Sequence, residues 1–173
     1  MDLKLLIKQA KKGDKEALLN LVMAQQVDFY KLAYVYMKDK EDAMDALQDM
    51  IVILYENIST LKKEEAFYSW SKTILVHSCK NKLKKRKKII PLDEIKEQTM
   101  EDIYDNPEDK MVLDKYLSKL SDKHQEVIRL RYYLDLDYES ISEILKIPLG
   151  TVKSRLSVGM KILKESLGGE YID

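Results

Sequence analysis

Few residues in this chain have types and spacings suited to bond chemistry. His77 and Cys79 lie two positions apart, which on a helix turns their side chains roughly 160 to 200° away from each other, so they do not chelate a metal; His124 stands alone. No Gly-rich phosphate loop, no GxSxG and no HExxH segment occurs. The expectation is no catalytic residue, no metal site and no cofactor, with Cys79 a small buried apolar residue. Groups suited to phosphates and bases are better represented. Between Ile147 and Lys164 the chain carries Lys153, Arg155, Lys161 and Lys164 and no acid, with Thr151, Ser154 and Ser157 beside them. Arg and Lys contact phosphates or guanine edges in a major groove, and small hydroxyl residues permit close approach. The same pattern also fits the solvated face of an ordinary helical hairpin. A second group joins Phe67, Tyr68 and Trp70 to residues 71–90, which hold eight basic residues and no acidic one. Aromatic faces that stack unpaired bases, beside lysines that follow phosphates, hold single strands. Phe67 and Trp70 at three-residue spacing fit a helical core equally well.

Positioning these groups requires helices. In Tyr138–Leu163, Ile141, Ile144 and Leu145 give the inner face of a short helix, Lys146–Leu149 a turn, and Val152, Leu156 and Leu163 the inner face of a second helix. That is helix-turn-helix spacing. Phe67, Trp70, Ile74, Leu75, Cys79 and Leu83 recur as one helix face, and Pro91 stops that helix. Upstream, Leu3–Lys12 reads as a helix that breaks at Gly13, with Asp14 placed to cap the next one from Lys15. A long apolar stretch runs from Leu18 to Tyr36. Asp39–Asp42 then restarts the pattern, and Ala43, Ala46, Leu47, Met50, Ile53 and Leu54 form the inner stripe of an amphipathic helix ending near Ile58. Asp42, Asp45, Gln48, Asp49 and Glu56 are left for its other face.

Composition agrees with this organisation. The chain has 173 residues, 45% hydrophobic and 35% charged, with only 5 Gly and 3 Pro. This is enough apolar material for a core, and it favours helices over turn-rich sheets. One cysteine and no long apolar run predict neither a disulfide framework nor membrane insertion, and a cytoplasmic location. The net charge of zero conceals blocks: the +8 stretch at 71–90 directly precedes 91–126, which has five basic and eleven acidic residues. Periodicity fades after Pro91 and returns at Met111. The expected fold is all-α: two small helical domains, 1–90 with four helices and 111–173 with the helix-turn-helix, joined by an acidic flexible linker at 91–110. The second domain, at about 60 residues, is near the lower limit for an independent core.

These segments, in this order, resemble the sigma-70 superfamily of bacterial RNA polymerase sigma factors, in the short extracytoplasmic-function (ECF) group. AKKGDKEAL is similar to the family's opening helix. DFYKLAYVYMKDKEDAMDALQDMIVILYENI resembles regions 2.1 and 2.2, AFYSWSKTILVHSCKNKLKKRKK the melting and minus 10 regions, and LSKLSDKHQEVIRLRYYLDLDYESISEILKIPLGTVKSRL region 4. The match spans nearly the whole chain.

The resemblance implies a specificity subunit without a catalytic site of its own, which binds core RNA polymerase, selects promoter DNA and helps to open it. Asp42, Asp45, Gln48 and Asp49 would dock on the clamp of the largest polymerase subunit. Trp70, Lys72, Thr73, His77, Lys80, Asn81, Lys84, Lys85 and Arg86 would hold the minus 10 element. Thr151, Lys153, Ser154, Arg155, Ser157 and Lys161 would meet the minus 35 element. An anti-sigma factor is a further partner common in the family. Four departures from the family pattern stand out: His77 where Asn is usual, Ser71 where an apolar residue is commoner, Lys146 at a turn position usually Gly, and Val158–Met160 in place of a stretch that often contains Arg. A left-handed Lys146 would carry about 1 kcal/mol of strain. Two rival readings are an autonomous helix-turn-helix regulator and a helical adaptor with no DNA role. The former leaves the Asp-rich helix and the Trp-Lys segment without a purpose.

Overall fold

Aspartates begin three helices of the first domain, and Asp14 does so where its position predicts. In the computed structural model, which describes residues 2–89 and 113–168, Asp2 caps α1 (Leu3–Lys11) and Asp14 caps α2 (Lys15–Ala24). The Asp14 carboxylate accepts from the Glu16 and Ala17 amides at 3.0 and 3.1 Å, which satisfies two of the donors left open at a helix start. Gly13, at φ 96°, makes the turn before it. α3 (Gln26–Met37) ends on Lys38 in the left-handed conformation, and Asp39 caps α4 (Lys40–Asn57) by accepting from the Asp42 amide. Two short 3-10 turns, Ile58–Thr60 and Glu64–Ala66, lead into the long α5 (Phe67–Ile89).

The described residues form two compact units, 2–89 and 113–168. The described helices of the first number five rather than the expected four, because the apolar stretch from Leu18 to Tyr36 breaks at Gln25. A straight helix would turn residues 25 and 26 toward the core together with Leu18 and Val22. At the break Gln25 is half-buried and Gln26 exposed, and Phe29, Leu32 and Ala33 of α3 are buried. Tyr68 supports the break, since its hydroxyl donates to the Leu21 carbonyl in the last turn of α2 at 3.1 Å. Burial pushes the Tyr68 pKa up. Its ring packs edge-on to Phe67, 5.1 Å between centroids, and this places it in the architecture of the domain.

Phe29, Phe67, Leu21, Leu32, Met50, Leu54 and Leu75 are fully buried and make the centre of the first unit. α5 inserts one face of its first half there. Buried Ser71 donates to the Phe67 carbonyl at 2.7 Å and buried Thr73 to the Ser69 carbonyl at 3.0 Å, so each hydroxyl is satisfied within the helix. That is how a polar Ser71 is accommodated where an apolar residue is commoner. Cys79 is buried as expected, and its thiol is pushed up to about 12 by that burial.

In the second unit, α6 (113–117) precedes α7 (Asp122–Ile128), which widens into a π-helical turn at Arg129–Tyr133; α8 (Tyr138–Leu145) and α9 (Leu149–Ser166) follow. Leu117, Leu130, Ile141, Val152 and Val127 are fully buried between them. Arg129 is 3% exposed and pairs with Asp114 at 3.2 Å, tying α7 to α6. Its guanidinium also lies 5.3 Å from the Tyr133 ring centroid. The fold is thus all-α, in two helical domains with a helix-turn-helix in the second, as the sequence predicts. The acidic segment 91–110 lies outside the described residues.

Candidate nucleic-acid and polymerase interface

The helix-turn-helix corner is built by hydrogen bonds that release the chain from α8 at a defined angle. The Asp137 carboxylate accepts from the Ser140 amide at 2.7 Å to start α8, and bonding with Ser140 lowers its pKa. Lys146 closes α8 at φ 53° and ψ 48°, the left-handed conformation for which Gly is usual. The Ile147 amide donates to the Ser142 carbonyl and the Ser142 hydroxyl donates to the Ile147 carbonyl at 2.6 Å, which locks the turn. Pro148 then precedes α9, its carbonyl accepting from Thr151 and Val152.

α9 buries Val152, Leu156, Gly159 and Leu163 on one side. At Gly159 the helices approach so closely that an added Cβ would stand 2.9 Å from Ile128 Cδ1 and 3.3 Å from His124 Cβ. The opposite side exposes Lys153, Ser154, Ser157 and Lys161, while Thr151 and Arg155 are half-buried at its flank. Four of the six residues expected to meet DNA here therefore lie on one outward stripe, and Thr151 and Arg155 lie at its edge. Gly159 explains itself from the rear: it lets α9 seat on α7.

On α5, Trp70 is half-buried with its ring centroid 6.4 Å from that of Phe67, and His77, Asn81 and Lys84 continue its stripe along exposed positions. Lys80 and Lys85 are exposed beside them and Lys72 is half-buried. Thr73 is not with them, because it faces the core. His77 is exposed and Cys79 buried, so the two stand on opposite sides of the helix as the spacing predicts. Arg86 also departs from the stripe. It pairs with Asp42 of α4, and Lys82, one turn earlier, pairs with Asp49 at 2.9 Å. Two of the four α4 residues expected to dock on polymerase therefore hold α5, while Asp45 and Gln48 are exposed.

The outward face of α4 contains more than carboxylates. Met44, Val52 and Tyr55 are exposed there, in line with Gln48 along successive turns. Lys15 of α2 sits 5.2 Å from the Tyr55 ring centroid. These apolar residues were missed in the sequence, although their spacing makes a second stripe beside the buried one. A helix face of mixed apolar and acidic residues suits a protein partner better than a nucleic acid.

Residues 21–89 match the family model described as Sigma-70 region 2, and residues 116–165 match that described as Sigma-70, region 4. The RNA polymerase sigma factor SigV of Bacillus subtilis (strain 168) is 32% identical over 163 residues, covering 92% of this chain and 96% of that one. The chain belongs to the sigma-70 family. The ECF RNA polymerase sigma factor SigW of the same organism, 31% identical with 96% and 97% covered, is similar over the full range and places this sigma factor in the ECF group. The fold is also similar to that of the sigma factor RpoE crystallised with the anti-sigma factor NepR from Bartonella quintana: TM-score 0.66, 21% identity, 87% of this chain and 96% of that chain covered. In this sigma factor the region 2 match contains the whole of α3, α4 and α5, and the region 4 match contains the helix-turn-helix. No helix among the described residues is long and apolar enough to cross a membrane.

Proposed function

We propose that this sigma factor works as the promoter-specificity subunit of core RNA polymerase, with three helix faces dividing the task. Asp45 and Gln48, with Asp42, Asp49 and the exposed Met44, Val52 and Tyr55, form the surface of α4 that docks on the clamp of the largest subunit. The α5 stripe of Trp70, His77, Asn81 and Lys84, flanked by Lys72, Lys80 and Lys85, receives the opened strand of the minus 10 element; Arg86 joins it when it leaves Asp42. Thr73 supports that stripe from within the domain. Thr151, Lys153, Ser154, Arg155, Ser157 and Lys161 of α9 enter the major groove at the minus 35 element. Domain 1–90 carries the first two faces and domain 111–173 the third. The protein has no catalytic step of its own, acts in the cytoplasm beside the chromosome, and is open to restraint by an anti-sigma factor, as RpoE is in its complex with NepR.

The observation that carries this reading is the outward stripe of α9, hydroxyls and cations free of acid from Leu149 to Lys164, set on the opposite side from the apolar residues that seat the helix. In vitro transcription from fragmented genomic DNA, with and without the protein added to bacterial core polymerase, tests it. New starts that share two upstream elements are the expected result. An absence of new starts with folded protein and active core would return the chain to the autonomous regulator or the adaptor.

A further inference from the structure

Val158 is out of character with its surroundings. It is 44% exposed, one turn beyond Ser154 and just short of Lys161, near the middle of the polar stripe of α9. It does not belong to the buried face of the helix. Val152, Leu156, Gly159 and Leu163, on the far side, seat the helix. Nor does helix formation favour it, since a β-branched side chain loses rotamer freedom on a helix and ranks well below Ala, Lys or Arg.

Its neighbours define what it can touch. Ser154 and Ser157 are short, so a helix lowered onto them approaches a base edge closely enough for the two methyl groups of Val158 to make contact. Lys153 and Lys161 lie on the same exposed face, where phosphates would hold that approach. The major-groove edges of the bases offer donors and acceptors to polar side chains, and one apolar feature: the C5-methyl of thymine.

We infer that Val158 is a specificity-determining residue that reads a thymine C5-methyl group in the upstream promoter element. This rests on the assignment of α9 to that element. Loss of the methyl leaves every hydrogen-bonding edge of the base intact, so deoxyuridine in place of thymidine isolates the contact.

The test uses full-length protein, core polymerase and a promoter found by mapping transcript starts, with each thymidine of the upstream element replaced singly by deoxyuridine on either strand. One replacement should lower initiation by the wild-type protein about fourfold, the worth of one buried methyl. Val158→Ala should initiate several-fold less well on the unmodified promoter and show no further loss at that position. Because the residue is exposed, the variant should melt with the wild type, and thermal unfolding verifies that its fold is intact. A Val158→Ala protein that still loses activity on the same replacement overturns the assignment. So does a wild type indifferent to every replacement while scrambling the element abolishes initiation, which leaves the role of α9 standing. Scrambling without effect removes both.

Discussion

On α5, Lys82 and Arg86 are engaged by carboxylates of α4, whereas the cations of α9 lie on a helix that carries no acid from Leu149 to Lys164. The two helices are also seated differently. α5 sinks one face into a five-helix core around Phe29, Phe67 and Leu75 and adds ion pairs farther along. α9 rests on a smaller core, and its register depends on one close approach at Gly159 and on α7, which Arg129 fastens to Asp114. A basic helix in the first unit is therefore adjusted by charge, and in the second by shape. Partly exposed ion pairs are weak and exchangeable, whereas a glycine contact either fits or does not.

The largest way to break this comparison is at Arg129. Arg129→Ala should destabilise the second unit by about 3 kcal/mol, a large fraction of what so small a core supplies. Amide hydrogen exchange should show protection lost across α7 to α9 and retained in α1 to α5; loss in both units would contradict independent seating. Gly159→Val should cost roughly 2 kcal/mol through overpacking against Ile128 and His124, read from thermal unfolding. An unchanged melting profile would mean that α9 is not shape-held.

Lys146→Gly works in the opposite direction, relieving the left-handed backbone and raising the stability of the second unit by about 1 kcal/mol in denaturant titration. The smallest effect sharpens the comparison from the other side. Asp42→Asn with Asp49→Asn should free Arg86 and Lys82, raising the affinity of the free protein for a single-stranded oligonucleotide about threefold in fluorescence anisotropy, within the range of exposed ion pairs. The change should disappear at high salt.

Much of this arrangement is legible in the residues before folding is considered. Asp14 and Asp39 announce their helices because a cap is a local event, decided within four residues. Val152, Leu156 and Leu163 mark the inner side of α9, so its outer side follows by subtraction. Lys146 was expected to be strained if left-handed, and it is left-handed. Gln25 gives no such notice: no Gly or Pro marks the break between α2 and α3, and its support comes from Tyr68, far along the chain. Thr73 has a polar type and a place beside lysines, but which side of α5 it occupies depends on what packs there. The pairing of Asp42 and Asp49 with Arg86 and Lys82 depends likewise on the register between two helices, which no single-helix pattern encodes.

The burial of Cys79 has a practical side. A thiol pushed up to about 12 and enclosed by side chains stays protonated in neutral buffer and is a slow nucleophile toward maleimides. A cysteine introduced at an exposed position of α9 or α5 would take up a dye selectively, with the native residue left in place. The full-length wild-type sequence thus serves directly as the parent for fluorescent reporters of promoter engagement.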